Sequence, residues 1–556
     1  MKNRAPRGSA LIASITVLMA IFIVGSAILS MSMQAMRRGR YDSMRTLALA
    51  LAEAGAEKAV YYLRTVAPDG TTTGKWRTAG LNETVSGQGD YTLVVQDGTG
   101  ANAGKTVITS IGHTGGSSTG ESRRAVRVVL KLDREDISIW NNAIFGGVGQ
   151  SGKSINGNVV IRGSVHLLGD GEEFTDLDND HHWDAGEPFT DTNHNGVYDL
   201  GEPYTDQDGD GHRDGREPFD DVNGNGTRDP ALTVTDLSSE FGGSSNIGNN
   251  YTGMPSSLRN LIPNPPTIAF QGETVDTLNA KLRVKHGRVD INGAATVGDP
   301  QAPGGSPMVK ETMDGSFVSD GFGGNQGANQ VYADNGTSAG YDLKDVVHFP
   351  TLTAPTVKNG TSYSSYMGYL QAAGLNITGP ITLKPGVAYG PVSDGRGNLL
   401  AVDTSGNITI RGIVYVTGDI RLDRNGGNKT MTYSGRGSLV STGNVYISSS
   451  ITPATPTFPT VHGLGVIARH RIELATQGGD SQLSLAGAFY AQEQIISAKQ
   501  NELAGTFVTS YFSMSNVPHM YQVPSLPDNL PPGMPGSDHI WIKTIRTDSW
   551  REVSPS

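Results

Sequence analysis

A chain of 556 residues is longer than one hydrophobic core usually serves, so two or three folded units are expected. It has no cysteine, which excludes a disulfide framework, a thiolate metal site and a cysteine nucleophile together, and a net charge of −11 without basic stripes argues against nucleic acid as a partner. Its 73 glycines lack the Gly-X-Y period of collagen and, with only 17% charged residues, read as turns between many short strands.

At the N-terminus Lys2, Arg4 and Arg7 precede Gly8, and from Ser9 to Met36 there is no Asp, Glu, Lys or Arg. That run exceeds the roughly 20 residues that cross a bilayer core and the about 7 to 15 apolar residues of a secretory signal peptide. Arg37, Arg38 and Arg40 balance the basic residues on the other side, so charge leaves its orientation open. The stretch from Ala48 to Ala59 combines strong helix formers with an Ala-rich face suited to close contact. One helix from about Ser9 to Leu63 would run roughly 80 Å.

The order Arg7-Gly8-Ser9-Ala10-Leu11-Ile12 before a continuous apolar helix resembles the leader of a type IV prepilin. The stretch Ala52-Glu53-Ala54-Gly55 resembles the signature that follows the anchor in PilX-like minor pilins. The resemblance covers about 60 residues. It implies a cut between Gly8 and Ser9 by a cytoplasmic-side peptidase, leaving the helix as membrane anchor and packing stalk. It also implies an inner-membrane location with an extracytoplasmic body, and other minor pilins and the pilus assembly platform as partners. Most prepilins carry Glu at the fifth mature position, which is Ala13 here. PilX-like minor pilins and the K-type pseudopilins of type II secretion share that absence and are placed at or near a filament tip. The face containing Leu11, Ala48, Ala52 and Ala56 is expected to meet other pilins.

From Tyr91 to Leu132 alternating runs (Tyr91 to Val95, Thr106 to Thr109, Ala125 to Leu132) between Gly-rich turns predict an antiparallel meander, which is also the pilin order. Beyond Asp136 the runs shorten and are punctuated by Gly or Asn-Gly: Val159 to Ile161, Val165 to Leu168, Leu282 to Val284 and Val289 to Ile291. They resume at Ile408, Ile413, Asp419, Ser438, Asn444, Leu464 and Ser484. Short alternating strands with single-Gly corners suit a β-solenoid, with a β-sandwich as the alternative. Residues Gly298 to Gly340 read as loop, and the Pro-rich tail is expected to lie over the last coil of the body.

The acidity is local. Between Gly171 and Pro230 eighteen Asp/Glu stand against three Arg, which leaves the rest of the chain at +4. Four segments of fifteen residues, beginning at Gly171, Gly186, Gly201 and Arg216, stack without a gap. They carry Asp176, Asp178, Asp180, Asp184; Asp191, Asn193, Asn195, Asp199; Asp206, Asp208, Asp210, Asp214; and Asp221, Asn223, Asn225, Asp229. Glu187, Glu202 and Glu217 follow the first three sets, whereas the fourth has Leu232 in that place. This is the order of an EF-hand calcium loop, whose oxygens come from every second residue and a bidentate Glu at position 12, with Gly at the sharp turn at position 6. Gly196, Gly211 and Gly226 fill that turn, and His181 replaces it in the first loop. The three residues between each Glu and the next Asp include Pro188, Pro203 or Pro218, so flanking helices do not fit. A stacked array of calcium loops is expected, similar to thrombospondin type 3 repeats, with a disordered acidic spacer as the bland alternative.

No catalytic or organic-cofactor site is expected. His348, His462, Arg469, His470 and Glu473 show no spacing that ties them to a nucleophile or zinc, although paired carboxylates among Asp403, Asp419 and Asp423 in a groove would revive a polysaccharide-active enzyme. The expected fold is α+β and mainly β. Its parts are a leader (1–8), a transmembrane and stalk helix (9–65), a pilin-like meander (66–135), a β-body (136–170 and 231–524) interrupted by the calcium array (171–230), and a tail (525–556). The expected function is a minor pilin or pseudopilin carrying a surface domain for adhesion or tip interaction. The alternative is a membrane-anchored β-scaffold outside any filament.

Overall fold

The computed structural model describes residues 9–64, 81–115, 122–147, 158–172, 244–285, 291, 294–301, 309–318, 330–335, 347–427, 430–514 and 518–555, together with short pieces between 174 and 228. It is mainly β with one long N-terminal helix. The chain divides into two compact units, one of residues 1–135 with 541–556 and one of residues 136–540.

Helix α1 runs from Ser9 to Arg64. Its first half is apolar and bare, with Leu11 65% and Phe22 76% exposed, and it is long and apolar enough to cross a membrane. The second half is roofed by an antiparallel sheet of Leu81–Val85, Gly89–Asp97, Thr106–Thr114 and Ser122–Asp136. Ala52, Ala56, Ala59 and Leu63 pack there against Leu93, Ile108, Val126 and Val128. The expected pilin-facing set is therefore corrected. Ala48, Ala52 and Ala56 are fully buried under the chain's own sheet, while Leu11 stays exposed. Small residues face the sheet because the backbones approach so closely. A Cβ on Gly112 would lie 2.0 Å from the Ala48 carbonyl oxygen, and one on Gly55 would meet Ser110 and the Tyr91 ring. Gly112→Val should lift α1 from the sheet, at a cost of at least the about 1–3 kcal/mol of an overpacked core. Faster amide exchange along Thr106–Thr114 would report it.

Lys58 of α1 and the Tyr91 hydroxyl both donate to the Glu83 carboxylate. The Lys58 hydrogen bond leads in holding Glu83 below the usual carboxylate range, and burial leads in pushing Tyr91 up to about 12.

The tail expectation is also corrected. Trp541–Val553 is a strand of the small unit and lies next to Ser122–Asp136 at the edge of its sheet. Lys105–Asp548 (2.7 Å) and Arg124–Glu552 ion pairs reinforce it. The large unit is thus inserted between the fourth and fifth strands of the small one.

In the large unit, strands pair in parallel from rung to rung, apart from local hairpins. The order in space is not the order in sequence. One ladder runs Leu375–Thr378, Asn407–Thr417, Thr430–Ser441, Gly463–Ala468, Ser484–Ser497 and Glu502–Met514, then continues into Ile144–Gly146, Val165–Leu167, Lys281–Val284 and Gly315–Val318. The chain enters its body in the middle of the ladder, builds outward and crosses to the far end. It then returns to seat Phe507 against Ile144. The crossover packs along the ladder, with Phe349 stacked on Tyr490 at 5.7 Å and the Leu352 amide donating to Gln492 (3.0 Å).

Parallel register aligns like with like, giving columns of buried side chains. One is Val414, Leu439, Val466, Phe489, Phe507, Ile144, Val165 and Leu282. A second is Ile420, Val445, Ile472, Ile495 and Phe512. A third is Met431, Ile451, Leu485, Leu503, Met520, Ile161, Ile247 and Val297. Phe489 and Phe507 stack at 4.6 Å and 5°. Phe507→Ala should cost about 3–5 kcal/mol, because it opens a cavity where the last long strand meets the first. Urea denaturation followed by circular dichroism measures it.

Two expectations give way here. The stretch read as loop from Gly298 to Gly340 contains the strand Gly315–Val318, in parallel register with Lys281–Val284. The run Leu485 to Ala491 is buried throughout instead of alternating, since the crossover covers the ladder's second face. Val289 lies outside the described residues.

Candidate metal centre

Of the array's expected oxygen donors, Asp191, Asn193, Asp199, Glu202 and Glu217 are described. Asp176, Asp178, Asp180, Asp184, Glu187, Asn195, Asp206, Asp208, Asp210, Asp214, Asp221, Asn223, Asn225 and Asp229 lie outside the described residues, as do Gly8 and the glycines at loop position 6.

The second loop is the one whose chemistry can be followed. Its ends are tied by an antiparallel bridge between Phe189 and Tyr204, in which the Thr190 amide donates to Pro203 (2.7 Å) and the Thr205 amide to Pro188 (2.8 Å). Pro188 and Pro203 offer only carbonyls, which is all such a bridge asks of them. Inside it, Asn193 Nδ2 donates to Asp199 Oδ2 at 2.6 Å, so positions 3 and 9 converge. Glu202, at position 12, is buried, and its carboxylate accepts the Thr192 amide (2.8 Å), the Thr192 hydroxyl (2.8 Å) and the Asp199 amide (2.9 Å).

Those bonds, led by the Asp199 amide, hold Glu202 below the usual carboxylate range. A depressed carboxylate stabilises the fold above its unfolded pKa and loses that contribution as pH falls through its folded one. The second loop should therefore loosen on acidification below the ordinary Glu range, which amide exchange at Thr192 and Asp199 measures.

The donors are hard oxygens alone, which fits a divalent ion of calcium's type and not zinc. Among the described residues no three acidic or imidazole groups already converge on one point. In this loop the Glu202 carboxylate is held by the loop's own N–H and O–H groups, with the carboxamide and carboxylate of Asn193 and Asp199 beside each other.

Sequence reading missed what holds the loops together, although the same register carries it. Phe174, Phe189, Tyr204 and Phe219 recur every fifteen residues, as do Trp183, Tyr198, Arg213 and Arg228. They pack in a nested order. The inner pair joins the second and third repeats, with Tyr198 edge-on to Phe189 (5.6 Å) and Tyr204 (6.0 Å) and Arg213 over Phe189 (4.6 Å). The outer pair joins the first and fourth through a Phe174–Phe219 bridge, with Trp183 edge-on to Phe219 (5.9 Å) and Arg228 over Phe174 (4.4 Å). The array is two nested pairs.

The residues weighed for catalysis serve the backbone or one another. His462 accepts the Gly435 amide (3.1 Å), Asp403 the Asn407 amide (2.9 Å) and Asp419 the Asn444 amide (2.8 Å). His470 pairs with Glu493, and Glu473 accepts the Thr476 hydroxyl (2.7 Å). A polar column that the strand pattern did not flag lies in the large unit. His166 is fully buried, edge-on to Phe145 at 5.2 Å, and burial leads in pushing its pKa well below the usual histidine value.

No family model and no curated protein matches this chain. Among solved structures it is similar to the competence-associated pilin ComZ from Thermus thermophilus. The two share 17% identity at a TM-score of 0.42, over 92% of this chain and 97% of that one.

Proposed function

We propose that this chain is a non-catalytic, PilX-like minor pilin or pseudopilin that carries a calcium-stabilised β-body outward from a filament or its inner-membrane assembly platform. The observation that carries the reading is the division of α1. Its first half, directly behind the Gly8-Ser9 junction, is bare and apolar. Its second half is capped by an antiparallel sheet through a seam of Ala and Gly. A helix so divided can leave lipid for the core of a bundle of like helices while its folded head stays outside.

With Ala48, Ala52 and Ala56 committed to the chain's own sheet, contact with other pilins falls to the exposed side of α1, including Leu11, Phe22 and Tyr41. Ala13 removes the carboxylate that would meet a neighbouring N-terminal amine, which suits a subunit at the filament tip. The large unit is the adhesive or tip-interacting part. Mass spectrometry of the mature N-terminus tests the reading, with Ser9 expected. A chain retaining Lys2 to Arg7 in cells with an active prepilin peptidase would leave only a plain anchor.

A further inference from the structure

We infer that each calcium loop takes its twelfth-position carboxylate from the repeat with which it is paired. Glu172, ahead of the first loop, then completes the fourth loop, which has Leu232 where sequence order asks for Glu. The inference rests on the calcium reading.

Glu172, Glu187, Glu202 and Glu217 occupy the same place in the four repeats, so the array holds one such Glu per loop. Read along the sequence, Glu172 is left over and the fourth loop lacks its ligand. Nested pairing removes both anomalies. In the inner pair Glu202 belongs to the third repeat and closes the loop of the second, through Thr192 and Asp199. Here sequence order and pairing agree, so this loop alone cannot tell the schemes apart.

The outer pair can. Trp183 of the first repeat donates to the Glu217 carbonyl of the fourth at 3.1 Å, and Arg228 of the fourth donates to the Glu172 carbonyl of the first, also at 3.1 Å. Trp183 and Arg228 are equivalent positions, as are Glu217 and Glu172, so the two repeats embrace reciprocally. The relation of Glu202 to the second loop, transferred to this pair, sets Glu217 at the first loop and Glu172 at the fourth. Applied in reverse to the inner pair, it sets Glu187 at the third. Burial agrees. Glu172, Glu202 and Glu217 are 1%, 7% and 3% exposed, in an array where Asn193 and Asp199 are exposed. A carboxylate with no place in a site has no reason to be drawn inside. The donors of the fourth loop, Asp221, Asn223, Asn225 and Asp229, enter by register alone.

The test is calcium stoichiometry of the full-length chain in detergent, by equilibrium dialysis against millimolar calcium chloride. Wild type should take one ion per loop, and Glu172→Gln should bind one fewer. Adding Asp221→Ala to Glu172→Gln should cost no further ion, because both belong to one site. Glu217→Gln with Asp176→Ala should lose one ion, but with Asp206→Ala it should lose two. Glu202→Gln, whose loop is the same under either scheme, calibrates the loss of one site in a chain that stays folded. A Glu172→Gln chain that binds as much calcium as wild type, or a further loss on adding Asp221→Ala, overturns the pairing while leaving calcium binding intact. A wild-type chain that takes no calcium overturns the reading beneath it as well.

Discussion

Replacing Asp206 and Asp208 by Ala removes one calcium ion and exposes residues 186–215 to protease even with calcium present. The third repeat supplies only a short loop and one aromatic, Tyr204, to a pair whose other members are Phe189 and Tyr198. So small a core cannot hold itself together without its ions. Extracellular calcium modules bind at about 10⁻⁴ to 10⁻³ M, so about 10 mM calcium stabilises each occupied loop by about 1.4–2.7 kcal/mol. Loss of that contribution should fall first on the second repeat, bridged to the third through Phe189 and Tyr204, and less on the outer pair. Limited proteolysis with mapped cleavage sites separates the two. Chelation of the wild type should open all four repeats, and calorimetry showing no uptake at millimolar calcium would remove the ion from the account.

Gly8→Glu should abolish the cut before Ser9 and hold the chain in the inner membrane with Lys2 to Arg7 attached. A peptidase that cleaves after a residue without a side chain has no room for a carboxylate, so the effect is loss of processing and not a slower rate. Fractionation with an antibody to the large unit, combined with mass spectrometry of the N-terminus, reads both consequences. A Gly8→Glu protein that still lost its leader would sink the pilin reading. The fold of both units should be untouched in this variant, since residue 8 precedes α1. Failure to assemble would therefore reflect the missing cut and not an unfolded chain.

Local elements were legible wherever a periodicity lies within a few residues. The start of α1 at Ser9, its end within a residue of Leu63, the strands of the small sheet and the short strands of the body all follow from patterning that the chain carries locally. Gly55 was legible as part of a small-residue face but misread as to its partner. Helix contact between subunits and contact with the chain's own sheet both require side chains that let backbones approach.

The fifteen-residue register was determined by sequence as well, down to the spacing of its oxygen donors. Which repeats face each other was not. Equivalent residues in four repeats are interchangeable until tertiary contacts choose a pairing, and the aromatic and Arg positions that make the choice are in the same register everywhere. The same holds for the large unit. Phe507 and Ile144 are adjacent rungs although more than 360 residues separate them, and Trp541–Val553 rejoins a sheet whose other strands end at Asp136. A strand's own residues fix its faces and its tendency to pair. Its neighbour is selected by the summed burial of columns such as Val466, Phe489, Phe507 and Ile144, an energy that exists only once the whole ladder has closed.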